Sequence, residues 1–133
     1  PRRMGWLTAP QPYTYYMAGC YGFGSYPTNV QGLARDAVLA ADPLVNFANY
    51  DNDGDGLVDL LWIVHPGTGA EYSGSCSDIW SHRWEIPSPP VLDGKTVLAR
   101  HVTEWNPDCA MLDTAVVFYR PAHGLFRRLF GGR

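Results

Sequence analysis

Residues 49–65 read NYDNDGDGLVDLLWIVH, and the change of character within this stretch constrains the fold more than any other part of the chain. Four aspartates (Asp51, Asp53, Asp55 and Asp59) fall within nine positions, and an unbroken apolar run follows. Like charges at that density repel one another, so something of opposite sign is expected among them. The run LVDLLWIVH is too apolar to alternate, which predicts a strand over 57–65 buried on both faces.

Upstream, TNVQGLARDAVLAADP predicts a helix over 29–42. Thr28 or Asn29 can cap it, and Val30, Leu33, Ala34, Ala37, Val38 and Ala41 line one face at helical spacing. Asp42-Pro43 ends it. Helix and strand together set the expected class as α/β (α+β), a twisted sheet with a packed helix. Residues 1–27, with Pro10, Pro12 and Pro27 among repeated Tyr and Gly, predict short strands and turns. A Gly/Ser-rich loop is expected at 66–79 and a short extended stretch at 78–86. VLDGKTVLARHVTEW predicts a turn at Asp93-Gly94 followed by a strand. The last segment, LDTAVVFYRPAHGLFRRLFGGR, stays open, because Pro121 would break a helix there.

The whole chain of 133 residues is one domain's worth, and 46% hydrophobic with 17% charged residues describes a folding polypeptide. A formal net charge of −3 argues against nucleic acid as a partner. No stretch is long and apolar enough to span a bilayer. Three cysteines (Cys20, Cys76 and Cys109) permit one disulfide and leave one thiol over. The expected bridge is Cys76 to Cys109, with three reduced thiols as the alternative. No signal peptide opens the chain and its first residue is Pro, so a piece of something longer is expected.

Asp51-x-Asp53-x-Asp55-Gly56-x-x-Asp59 places carboxylates at positions 1, 3, 5 and 9 of a calcium loop, with Gly at 6 and the Leu57 carbonyl at 7. Position 12 is Trp62, where an EF-hand would carry a bidentate Glu, and a strand follows where a helix would. The expectation is a structural calcium held by Asp51, Asp53, Asp55, Leu57 and Asp59 in a loop that is not an EF-hand. The plain alternative is an Asp/Asn/Gly-rich turn with no ion. The histidines (His65, His82, His101 and His123) include no HExxH, and His82-Arg83-Trp84-Glu85-Ile86 lacks the second His of an inverted zinc motif. GxSxG and a phosphate-binding Gly-Lys-Ser/Thr are absent too. Trp80 and Trp84 suit core packing, or stacking on a sugar or peptide. The basic end, LFRRLFGGR, suits either a surface segment or an out-of-context fragment end.

NFANYDNDGDGLVDLLWIVHPGTGAEYSGSCSDIWSHRWEI resembles the catalytic region of immune inhibitor A-type metallopeptidases, which are secreted bacterial zinc endopeptidases. DNDGDGxVD, an apolar strand ending in VHxGxGxE, and DIWSHxW carry the resemblance, which covers roughly residues 5–105. It implies a metzincin-like domain of which 1–133 is the N-terminal part, an extracellular location, and protein or peptide substrates. It also carries the calcium loop over residue by residue; His65, Glu71, His82 and Trp84 match the pattern without an assigned role. In the family a zinc-binding HExxHxxG helix follows. Here TAVVFYRPAHGLFRRLF stands in about that place: His123 can correspond to the second histidine, but the first histidine and the catalytic Glu are absent. Tyr119, Arg120 and Pro121 stand near their positions. No catalytic residue is therefore assigned, and the chain alone is expected to be inactive. A lost reading frame near the end accounts for the departure, and translating the encoding DNA in all three frames tests this. Two other readings compete: a non-catalytic, calcium-stabilised extracellular binding module, and a hydrolase using His65 and His82 with an ion.

Overall fold

The computed structural model describes residues 7–59, 61–65 and 67–98, and the backbone of 101–104 and 115–120. Four strands form one parallel sheet: β1 (Leu7–Thr8), β2 (Leu61–His65), β5 (His101–Glu104) and β6 (Ala115–Arg120), in the order β1-β6-β2-β5. β2 is flanked on both sides, with Ile63 opposite Val102 of β5 and Val117 of β6. Four of its five residues, Leu61, Ile63, Val64 and His65, are buried. The unbroken apolar run thus meets its physical demand, since a strand of a parallel sheet needs cover on both faces. The ladder begins at Leu61. Leu57 instead makes an isolated bridge to Thr96, so the expected 57–65 strand divides at the last aspartate.

The main helix, α2, runs Val30–Ala41 after a single helical turn, α1 (Tyr13–Tyr16). Asn29 is its cap: the side-chain oxygen accepts from Gly32 N at 3.1 Å while the amide donates to Gly24 O at 2.9 Å. Gly32 is required by space, because a Cβ there would stand 1.8 Å from the Pro27 carbonyl oxygen. The face Val30, Leu33, Ala34, Ala37, Val38 and Ala41 is buried and joins Leu61 and Ile63 in one core with Tyr16, Phe47, Val58 and Ile79. Helix α2 lies against β1 and β6. After Ala41 the chain continues as a 3-10 turn over Asp42–Leu44, so Asp42-Pro43 ends the α-helix without turning the chain sharply away.

The tyrosine-rich opening, expected as strands and turns, supplies two strand residues, the α1 turn and a run of turns. The stretch 78–86 carries an isolated bridge at His82 and no continuous strand. A short helix, α3 (Ala70–Ser73), sits within the Gly/Ser-rich loop. The expected turn at Asp93-Gly94 joins β3 (Val91–Leu92) to β4 (Lys95–Thr96), with φ of 52° and 76° at its two central residues. The segment with Pro121 resolves into β6, a central strand.

The disulfide corrects the expected pairing. Cys20 bonds Cys76, with 4.6 Å between their Cα atoms, and Cys109 lies outside the described residues. The physical reason is local: Tyr21 N donates to Cys76 O and Trp80 N to Tyr21 O, both at 3.1 Å, which lays the 20–22 turn along the 76–80 segment.

Candidate metal centre and the histidine cluster

The aspartate loop is built by its own backbone. Gly54 N and Gly56 N donate to the two Asp51 oxygens at 2.8 and 3.1 Å, Asp55 N to Asp53 Oδ1 at 3.1 Å, and Leu57 N to Asp55 Oδ1 at 2.8 Å. Asn52 closes the loop, donating from its backbone and its side chain to Asp59 Oδ2. Each bond offsets part of the repulsion that the spacing creates. Gly56 has φ +88°, a region that only glycine enters without cost. The outcome is that Asp51, Asp53, Asp55 and Asp59 each present a carboxylate oxygen within 4.8 Å of the other three. Among the described residues this is the one group of three or more His, Cys, Asp or Glu side chains so gathered. Leu57, the fifth expected ligand, sits on the rim, where its neighbour Val58 donates to Thr96 O at 3.0 Å. An all-oxygen set of four carboxylates is the donor chemistry of a hard divalent cation, so the residues fit calcium.

Sequence reasoning missed one partner. Lys95 Nζ lies 2.5 Å from Asp51 Oδ2. That bond, with the backbone donors of Gly54 and Gly56, holds the Asp51 carboxyl below the usual carboxylate range. A lysine 44 positions away carries no spacing signal; its solitude was the only clue, for it is the one lysine in the chain.

The second cluster lies beyond the end of β2. His65 is fully buried there, its ring 6.1 Å from that of Tyr13. Tyr13 O–H accepts from Ile79 N at 3.0 Å, and burial pushes its phenol upward. Glu71 accepts from Ser81 N at 3.0 Å. Burial raises its carboxyl, but the Ser81 hydrogen bonds and the nearby His65 outweigh that and leave it low. His82 is pushed down by burial, against the opposing pull of the Trp80 carbonyl and Glu71. Its Nδ1 lies 2.5 Å from Trp80 O, so Nδ1 carries the proton and Nε2 keeps its lone pair. Phe23 and Trp84 pack on the His82 ring at centroid distances of 4.7 and 5.6 Å. Glu71 thus stands within electrostatic reach of both histidines, yet the three do not gather at ligand distances. His101 and His123 have no described side chains.

The sequence profile of the immune inhibitor A peptidase M6 catalytic domain matches residues 2–132, past the boundary at 105 that the motif resemblance set. The chain belongs to this peptidase family. It is 32% identical over 108 residues to the pre-pro-metalloprotease PrtV of Vibrio cholerae serotype O1, covering 68% of this chain and 12% of that protein. It is 31% identical over 131 residues to immune inhibitor A of Bacillus thuringiensis subsp. alesti, covering 84% of this chain and 19% of that one. The chain therefore spans less than a fifth of the length of these relatives. No solved structure matches it. The metal of a metalloprotease, typically zinc, does not fit the residues described: the chain has no HExxH, and His65, Glu71 and His82 stay apart.

Proposed function

We propose that this chain is the N-terminal part of the catalytic domain of a secreted, zinc-dependent, metzincin-like endopeptidase, and that it carries a structural calcium on Asp51, Asp53, Asp55, Asp59 and the Leu57 carbonyl. The reaction class is hydrolysis of peptide bonds in protein or peptide substrates, carried by the family match along nearly the whole chain. The calcium reading is carried by the convergence of four carboxylates within 4.8 Å. The Cys20–Cys76 bridge supports an extracellular location, where disulfides persist. No hydrolytic step is assigned to residues of this chain, and alone it is inactive.

The alternative, a calcium-stabilised binding module, draws on one observation. Phe23, Trp80 and Trp84 are 45%, 39% and 36% exposed around His82, more aromatic surface than core packing needs.

Two measurements test the proposal. Thermal unfolding is followed in millimolar calcium and in excess chelator; binding to the folded state alone adds about 2.7 kcal/mol at a hundredfold excess over Kd. A rise of several degrees with calcium is expected, and a midpoint indifferent to calcium defeats the ion. Casein hydrolysis is then compared between this chain and the longer gene product. Activity in the longer protein alone is expected, whereas none in either favours the binding module.

A further inference from the structure

Lys95 occupies an unusual position for the only lysine of a chain. It lies on β4, 27% exposed, with its ammonium on Asp51 Oδ2, and it cannot drift away because its hairpin is fastened to the aspartate loop. Thr96 N donates to Gly56 O and Val58 N to Thr96 O, each at 3.0 Å. Asp93, in the hairpin turn, accepts from Phe47 N at 2.8 Å, just before the loop begins. The fold therefore delivers one positive charge to position 1 of a site whose other three carboxylates each keep an oxygen without a hydrogen bond among the described residues.

We infer that Lys95 is a tethered competing cation that sets the calcium affinity of the Asp51–Asp59 loop. This rests on the calcium reading above. In the ion-free loop the ammonium neutralises one of four carboxylates and preserves the loop's shape. An incoming calcium must take Asp51 Oδ2 from it, and then sits beside a like charge. Both effects weaken binding. An exposed or half-exposed ion pair forms with an equilibrium constant of only a few, so competition and repulsion together amount to about three- to tenfold in Kd. The loop is thereby tuned to respond to calcium at higher concentrations than its four carboxylates alone would give. Because the opposing charge stands at the surface, added salt screens its effect.

The test is calorimetric titration of calcium into the whole chain and its variants, with folding checked by circular dichroism. Lys95→Met keeps the apolar stem and removes the charge; it is expected to bind calcium about three- to tenfold more tightly, the gain shrinking as potassium chloride is raised. Lys95→Arg keeps the charge and is expected to stay near the wild-type affinity. If Lys95→Met does not fold, Lys95→Gln reads the same quantity. Equal or weaker calcium binding by the uncharged variant overturns the inference and makes Lys95 a support of the loop, leaving the calcium site standing. Calcium binding by none of the proteins overturns the site and the inference together.

Discussion

Asp53 and Asp55 each accept one backbone bond within the exposed loop, so little of the ion-free stability depends on them. Asp53→Ala and Asp55→Ala should lower the thermal midpoint by several degrees in calcium and leave it nearly unchanged in chelator. Equal loss in both media would show a bare turn. Asn29 works differently, because it is buried and bonds Gly32 N, Gly24 O and the Gln31 side chain. Asn29→Ala removes the α2 cap and leaves buried donors and acceptors unmet, about 1–3 kcal/mol by denaturant titration. Acid should act in two stages. His82 has a lowered pKa when folded, so the unfolded chain takes up its proton first, and stability falls as pH drops below about 6.5. Asp51 and Glu71 are also lowered, and their contributions are lost nearer pH 4 and below. His82→Gln should flatten the first stage of a stability-versus-pH curve and spare the second.

At the scale of elements, the 17–25 turns and the 74–80 loop owe their alignment to Cys20–Cys76 and to two backbone bonds. The bridge closes a loop of 56 residues' separation, for which chain entropy gives about 4 kcal/mol. Cys20→Ser should cost roughly that amount and Cys109→Ser far less, by denaturant unfolding of the oxidised proteins. A non-reduced peptide map should show Cys20 linked to Cys76. Helix α2, β2 and the β3–β4 turn were legible in advance, because a cap, a helical stripe, an apolar run and an Asp-Gly pair are local signals. The bridge was not, since three cysteines at wide spacing carry no pairing information. Nor was Lys95, whose role depends on a hairpin packing beside a loop 44 residues earlier.

For the whole molecule the decisive strand is β6. It lies between β1 and β2, pairing Tyr119 with Leu7 and Val117 with Ile63, so the last described element completes a sheet begun by the first. A chain ending at residue 112 loses that partner from both strands and should show no cooperative thermal transition, whether or not calcium is added. The sequence alone determined the acidic loop, the buried strand after it, the capped helix before it and the peptidase family, since each is written in neighbouring residues or in motifs of fixed spacing. Tertiary structure alone decided that β6 sits at the sheet's centre, that Cys76 meets Cys20, that Glu71 lies near both His65 and His82, and that Lys95 reaches Asp51. Those are meetings of residues far apart in the chain, and they are fixed by which surfaces bury one another, a property no local pattern contains.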